Sequence, residues 1–316
     1  MYIKNGVIFV KREVEIKNYS LNQYDEIYIK VKTVLWVILL ANLGVAITKI
    51  IVGHLINSAS LSADGIHSIS DSMSNIVGII GITIASRPVD KKHPYGHKKS
   101  EIIASLFIGA MLLLLGINIF STGLDRFINP QELSITTISI VSLIITIIIN
   151  LCVTVYERKK GEEYDSYILI SDSIHTKSDI LISIGVLFSL LGMKLGLPYI
   201  IDPIISIVIS FFILHASYEI FKESIGILLD SAVIEEEKIM EVVKGFEDVL
   251  DTHKIRSRGS KNDIYIDMHI MIDPNASIEK SHMLSHEIEK EIKKKINSNC
   301  QVIIHVEPYY KKENIL

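Results

Sequence analysis

Six long apolar stretches constrain this chain more than any other feature of its sequence. They cover residues 34–57, 61–86, 101–128, 134–156, 166–193 and 198–220. A helix that crosses the hydrocarbon core of a bilayer needs about 20 mostly apolar residues, and each stretch reaches that length. Residues 134–155 contain no Asp, Glu, Lys or Arg, so they lack the polar outer face that a helix of a soluble bundle requires. The sequence therefore predicts an α-helical integral membrane protein with six transmembrane helices.

The positions of Lys and Arg predict how these helices are oriented. Basic residues cluster before the first stretch, between the second and third, and between the fourth and fifth. Because such residues are retained on the cytoplasmic side, both termini are expected in the cytoplasm, and residues 57–60 and 129–133 outside. We expect the protein to lie in the cell membrane. Residues 1–32 lack the apolar core and cleavage site of a signal peptide and are interpreted as a cytoplasmic tail, followed by a transport domain over 33–230.

Residues 231–316 have the pattern of a small water-soluble domain. An apolar stripe predicts a helix over 234–249, and alternation of apolar and polar residues predicts a strand over 263–272. A second amphipathic helix over 277–295 and a last strand over 301–306 complete an α-β-β-α-β order. Such an order suits a small α+β sheet that helices cover on one face.

Charge and cysteine content exclude two classes of protein. Lys and Arg total 32 against 36 Asp and Glu, so the chain has no general positive field that would attract nucleic acid. Its two cysteines, Cys152 and Cys300, are too few for a disulfide framework or a cysteine metal cluster.

Two of the apolar stretches contain related polar segments. Residues 62–71 and 170–179 align without gaps and are identical at five of ten positions, among them a His and an Asp four residues apart. The predicted orientation makes the second and fifth helices antiparallel, so the segments form an inverted repeat. Inverted repeats place transport sites near the membrane midplane, between the two halves.

The repeated His and Asp residues are candidate metal ligands. His67 and Asp71 share one face of their helix, as do His175 and Asp179. Two imidazoles and two carboxylates provide the nitrogen and oxygen donors that suit tetrahedral Zn²⁺. The alternative is that each pair only ties helices together through hydrogen bonds. Asp64 and Asp172 lie one turn away and either orient the histidines or serve helix packing.

Together these residues resemble the cation diffusion facilitator family of divalent metal transporters, in its zinc-transporting form. The resemblance covers residues 34–308 and rests on the two His-x-x-x-Asp pairs, on Pro94-Tyr95-Gly96-His97, on Leu228-Leu229-Asp230 and on six spans followed by a cytoplasmic domain. It implies a homodimeric secondary transporter, not an enzyme, that exports Zn²⁺ from the cytoplasm in exchange for protons. It also implies a ferredoxin-like, metallochaperone-like fold for the dimerising domain over 231–316.

The resemblance implies further sites. A loop site would use Asp90, His93 and His97, although their spacing is equally typical of a solvated loop that binds cations weakly. A cytoplasmic zinc site would use His253, His269, His282, His305 and Glu307, each of which is otherwise an ordinary exposed polar residue. An ion pair between Lys99 and Asp230 is implied as well. The long N-terminal tail and Glu307, where some relatives have Asp, depart from the family pattern.

Three alternatives stay open at this point. The transported ion could be cadmium, cobalt, iron(II) or manganese, because the family carries several divalent metals. A membrane metal sensor would use the same ligands without transport. An intramembrane metallohydrolase would also bury His and Asp around zinc, but its His-Glu-x-x-His motif is absent from the sequence.

Overall fold

The computed structural model describes residues 2–4, 7–9, 12–55, 62, 65–66, 68–69, 71–129 and 137–310. It separates the chain into two compact units, Met1–Ser224 and Ile225–Leu316, which are described in turn. The first unit begins with a short antiparallel hairpin of strands β1 (Tyr2–Lys4) and β2 (Val7–Phe9). The helices that follow are α1 (Arg12–Leu55), α2 (Met73–Ala85), α3 (Lys99–Ile128), α4 (Thr137–Glu163), α5 (Tyr167–Lys194) and α6 (Ile201–Leu228).

The predicted helical membrane domain is confirmed. Among the described residues, five helices are long and apolar enough to cross a membrane, and the shorter α2 is also apolar. These correspond to the six predicted stretches, with α2 representing the stretch at 61–86. The inverted repeat stays a prediction, because residues 63, 64, 67 and 70 lie outside the described part of the chain.

Helix α1 extends well beyond the predicted first span. It begins at Arg12, and its apolar candidate span runs over Glu26–Val52 rather than 34–57. Val31, Val34, Leu35 and Ile38 recur at helical spacing and are buried against Ile82 of α2 and Ile168 of α5. This stripe continues the packing toward the N-terminus, so part of the predicted tail is helical.

Small residues allow the membrane helices to approach closely. A Cβ atom added at Gly81 of α2 would overlap the Cβ of Ala104 in α3. One added at Gly185 of α5 would overlap Ile209 of α6. Because lipid is as apolar as Leu or Ile, membrane helices associate through such close packing rather than through the hydrophobic effect.

The second unit has the predicted α-β-β-α-β order. Its elements are α7 (Glu236–Val243), β3 (Asp251–Ser260), β4 (Asp263–Ile272), α8 (Ile278–Lys295) and β5 (Cys300–Pro308). Central strand β4 pairs antiparallel with β3 and parallel with β5. Helix α7 ends at Val243 and not at residue 249, and Gly245, a residue with low helix propensity, follows its C-cap Lys244.

Both helices of the second unit lie on one face of its sheet. Every second residue of β4, from Ile264 to Ile272, packs in one core with Ile239 of α7 and with Leu284 and Ile288 of α8. The intervening residues of β4, including His269, therefore point to the opposite face. The sheet thus has one apolar face covered by helices and one polar face.

The packing of α2 against α3 can be tested by comparing two glycine-to-alanine substitutions. Gly81→Ala should lower the melting temperature of the detergent-solubilised protein, because overpacking costs about 1–3 kcal/mol. The matched control is Gly44→Ala in α1, where an added Cβ meets no atom within 4 Å. Gly44→Ala should leave the melting temperature unchanged or slightly higher, since alanine favours a helix by about 0.5–1 kcal/mol. Equal melting temperatures for the two variants would contradict the close α2–α3 contact.

Candidate metal centres

Three of the four predicted membrane ligands lie together inside the helical unit. Asp71 precedes α2, and His175 and Asp179 lie one turn apart on α5. One ligand atom from each of the three residues lies within 4.8 Å of the other two. The fourth predicted ligand, His67, lies outside the described residues, as does Asp64.

The imidazole of His175 is available to a cation. The residue is buried, and neither of its ring nitrogens has a hydrogen-bond partner among the residues that the structure describes. Buried polar atoms are nearly always hydrogen-bonded, so an unpaired buried ring calls for an explanation. A role as a metal ligand, next to the carboxylates of Asp71 and Asp179, explains why the ring has no hydrogen-bond partner.

Asp172 lies beside this centre but does not orient His175. It is fully buried and accepts a hydrogen bond from the side-chain amide of Asn75. The amide of Asn42 donates in turn to Asn75 Oδ1 at 3.2 Å, which connects α1, α2 and α5. Of the two roles left open for Asp172, this geometry favours helix packing over support of the histidine ring.

Glu157 is a buried acidic residue that the sequence analysis missed. It lies on α4, is fully buried, and accepts a hydrogen bond from the Thr176 hydroxyl at 3.2 Å. In the sequence Glu157 comes directly before Arg158, Lys159 and Lys160, so it falls one residue beyond the predicted fourth span. No local sequence signal marks it, and only the structure shows that helix α4 continues through this basic cluster to Glu163.

A row of three histidines crosses the polar face of the second unit's sheet. His253, His269 and His305 are direct neighbours on β3, β4 and β5. Ring centroids are 5.3 Å apart for His253 and His269, and 4.7 Å apart for His269 and His305. The register of the sheet therefore brings together residues more than 50 positions apart in sequence.

Glu307 faces all three histidines. Its Oε1 atom lies 2.8 Å from His269 Nδ1 and 3.7 Å from His305 Nε2, and Oε2 lies 3.4 Å from His253 Nε2. The hydrogen bond from His269 is the main cause that lowers the pKa of the Glu307 carboxyl. Ligand atoms of His253, His269 and Glu307 lie within 4.8 Å of one another, as a bound metal requires.

His282 is not part of this cluster within one chain. It lies exposed on α8, which packs on the other face of the sheet, and its ring contacts His286 at a centroid distance of 4.4 Å. The structure thus brings together four of the five residues predicted for the cytoplasmic site.

The predicted loop residues also converge. Asp90 Oδ1 accepts hydrogen bonds from the backbone N–H groups of Lys92 and His93 at 2.8 and 2.7 Å, which lower the pKa of Asp90. His93 Nδ1 lies 3.1 Å from Asp90 Oδ1, and His97 Nε2 lies 3.5 Å from Oδ2. The loop is a compact turn with a potential three-ligand arrangement.

The predicted pair of Lys99 and Asp230 joins residues from different units and stays a prediction. Within the second unit, Asp230 Oδ2 lies 3.6 Å from Arg258 Nη1.

Comparison with known proteins identifies the class and then the family. Residues 35–229 match the model of the cation efflux transmembrane domain, and residues 233–309 match the model of the cation efflux protein cytoplasmic domain. The chain is therefore a membrane transporter of cations and not an enzyme. It belongs to the cation efflux family, also called the cation diffusion facilitator family, and is a divalent cation efflux transporter.

Relatives of this chain carry names for different metals. The uncharacterized transporter MJ0449 of Methanocaldococcus jannaschii is 31% identical, over 82% of this chain and 91% of the relative. The manganese efflux system protein MneP of Bacillus subtilis is 28% identical, over 86% and 94%. The cadmium, cobalt and zinc/H(+)-K(+) antiporter of Bacillus subtilis is also 28% identical, over 84% and 86%. Family membership therefore leaves the transported metal undetermined.

The lowered pKa of Glu307 gives the second unit a pH-dependent stability. A carboxyl whose pKa falls on folding from its ordinary value of 4.5 stabilises the folded state above that pH, and this contribution is lost as the pH falls through the lowered value. Metal-free Glu307→Gln should therefore unfold at lower denaturant concentration than wild type at pH 7, with the difference narrowing below pH 4.5. Glu241→Gln, at an exposed position of α7, serves as the control. If wild type and Glu307→Gln differ in unfolding midpoint by the same denaturant concentration at every pH, the ionised Glu307 carboxylate is not the source of the stability.

Proposed function

We propose that the exported cation is Zn²⁺ and that protons move in the opposite direction. The observation that carries this proposal is the convergence of Asp71, His175 and Asp179 within the helical unit. With His67 as a fourth ligand, the donors would be two imidazoles and two carboxylates. Zn²⁺ accepts four such donors in a tetrahedron, whereas Mn²⁺ and Mg²⁺ favour six oxygen atoms.

Manganese is the second candidate, and a specific observation favours it. Two of the three described donors are carboxylates, and MneP, a relative of similar length, is named for manganese efflux. Cadmium and cobalt(II) accept nitrogen and oxygen donors as Zn²⁺ does. The imidazole of His175 favours metals toward the zinc end of the first-row series, which is why zinc is our first choice.

Proton exchange follows from the chemistry of the ligands. His175 must be neutral, and Asp71 and Asp179 must be ionised, to bind a dication. Metal and protons therefore compete for one site, and a site that opens to each side of the membrane in turn exchanges one for the other. We propose that both termini face the cytoplasm, that the protein lies in the cell membrane, and that export proceeds from the cytoplasmic side.

The second unit is proposed to sense cytoplasmic metal and to hold the transporter as a homodimer. The support for metal binding is the row of three histidines with Glu307 between their rings. The support for a dimer is the family of the domain over residues 233–309. Asp90, His93 and His97 are proposed as a weaker loop site, because Asp90 and His93 are half-exposed.

Transport depends on the membrane carboxylates in this proposal. Purified wild-type protein should move zinc into lipid vesicles that contain a zinc-sensitive dye, at a rate that changes when an imposed pH gradient is collapsed. Asp179→Ala should abolish transport of every metal, because it leaves Asp71 and His175 in an incomplete site. The control, Asp125→Ala, removes an exposed carboxylate of α3 and should transport at the wild-type rate. Normal zinc transport by Asp179→Ala would refute the site.

Metal choice depends on the donor atoms. His175→Asp replaces a nitrogen donor by an oxygen donor, so it should weaken zinc transport and raise manganese transport relative to zinc by about tenfold, which corresponds to about 1.4 kcal/mol. Competition between the two metals in the vesicle assay measures this ratio. Preference of the wild-type protein for manganese over zinc would establish the second candidate in place of the first.

A further inference from the structure

Two carboxyl groups meet inside the helical unit, next to the proposed transport site. Glu157 of α4 and Asp172 of α5 are both fully buried, and their carboxyl groups contact each other. Neither forms an ion pair with a Lys or Arg side chain among the described residues. The Thr176 hydroxyl lies within hydrogen-bond distance of Glu157 and of the backbone carbonyl of Asp172, and the Asn75 amide donates to the Asp172 carboxyl group.

One oxygen of each carboxyl group is left without a hydrogen-bond donor. These are Glu157 Oε1 and Asp172 Oδ1, which have no partner in the part of the chain that the structure describes. The ring nitrogens of nearby His175 also have none. Two buried carboxyl groups in contact cannot both be ionised without a compensating positive charge, so the pair holds either a proton shared between the two groups or a cation that takes its place.

The pair lies against the transport site, on the side of the α4–α5 connection, since the hydrogen-bond partner of Glu157, Thr176, directly follows His175. Asp172 precedes His175 by three residues, about one turn of α5 nearer to the helix start at Tyr167. Glu157 lies six residues before the end of α4 at Glu163. Both are therefore close to the connection between α4 and α5, which the proposed topology places in the cytoplasm.

We propose that Glu157 and Asp172 form an inner cation site, which a divalent cation occupies on its way from the cytoplasm to Asp71, His175 and Asp179. This inference rests on the proposed direction of transport. The inner site provides oxygen donors only, two from carboxylates, with the Thr176 hydroxyl beside them. Oxygen donors accept Mn²⁺ and Zn²⁺ alike, so the inner site attracts divalent cations while the imidazole-containing site beyond it selects among them.

Carbodiimide labelling with Mn²⁺ as the probe tests the inner site directly. Dicyclohexylcarbodiimide modifies buried protonated carboxyl groups, and peptide mass spectrometry measures the modification of Glu157 in full-length protein in lipid vesicles. Mn²⁺ should protect Glu157 in the wild type and also in Asp179→Ala, whose transport site is incomplete. Asp172→Asn should need about tenfold more Mn²⁺ for the same protection, because one charged ligand is lost. Protection that disappears in Asp179→Ala, or that Asp172→Asn leaves unchanged, would overturn the inner site.

Transport kinetics provide a second measurement that separates binding from folding. Glu157→Gln keeps the shape of the side chain and an acceptor for Thr176 but removes the charge, so it should raise KM for Mn²⁺ and Zn²⁺ about tenfold with little change in kcat. Glu157→Asp should recover part of the lost affinity. The matched control, Glu162→Gln, changes an exposed residue of α4 that pairs with Arg158. A wild-type KM for Glu157→Gln, together with loss of transport in Asp179→Ala, refutes the inner site and leaves the proposed function standing.

Discussion

The cost of burying ionisable groups in a membrane is the constraint on which the rest of this structure depends. Each such group costs at least about 2.5 kcal/mol in a membrane helix, so it persists only where it has a partner or a function. Asp71, Asp172, His175 and Asp179 lie together in the helical unit, and Glu157 adds a fifth group from a third helix segment. Asn75 and Thr176 supply hydrogen bonds that hold two of these carboxyl groups. A site with these four carboxyl groups is stable when it contains cations or protons, which is the property that the proposed exchange of a cation for protons requires.

Helix α5 carries three of these five groups, and contacts with α3 hold its N-terminal end in place. Ser166 caps α5 by accepting a hydrogen bond from the Leu169 N–H, and its own hydroxyl donates to Glu101 Oε1 of α3 at 2.6 Å. The Ile168 N–H also donates to Glu101, at 3.4 Å. A carboxylate at a helix N-terminus is favoured by the helix dipole. Glu101 therefore links α3 to the position of His175 and Asp179, two and three turns further along α5.

The sequence predicted the architecture well because its strongest signals are long and periodic. Six apolar stretches of more than 20 residues leave few alternatives to membrane helices, and the alternation over residues 263–272 matches strand β4 residue for residue. The extent of α1 was not predictable from hydropathy, since the stripe through Val31 is interrupted by Lys30 and Lys32 in sequence but not on the helix face. The two lysines therefore placed the predicted start of the first span at residue 34, whereas the apolar span of the helix begins at Glu26.

The sites were predictable only where ligands lie close in sequence or are repeated. The His-x-x-x-Asp repeat pointed to Asp71, His175 and Asp179, which the structure brings together. The row of histidines depends on strand register, which places His253 and His305 on either side of His269 and leaves His282 on a helix across the sheet. Glu157 was missed because burial of a residue beside a basic cluster follows from tertiary packing, which no local pattern encodes.

Locating a bound ion in full-length protein tests the central claim most directly. Anomalous scattering at the zinc absorption edge, from crystals grown with Zn²⁺, identifies the metal and its position together. We expect a peak within the helical unit at about 2.0–2.2 Å from His175 and from carboxylate oxygens of Asp71 and Asp179, as zinc coordination requires. The contradicting result would be zinc peaks at the histidines of the second unit and no peak between Asp71, His175 and Asp179, in wild-type crystals at every zinc concentration tested.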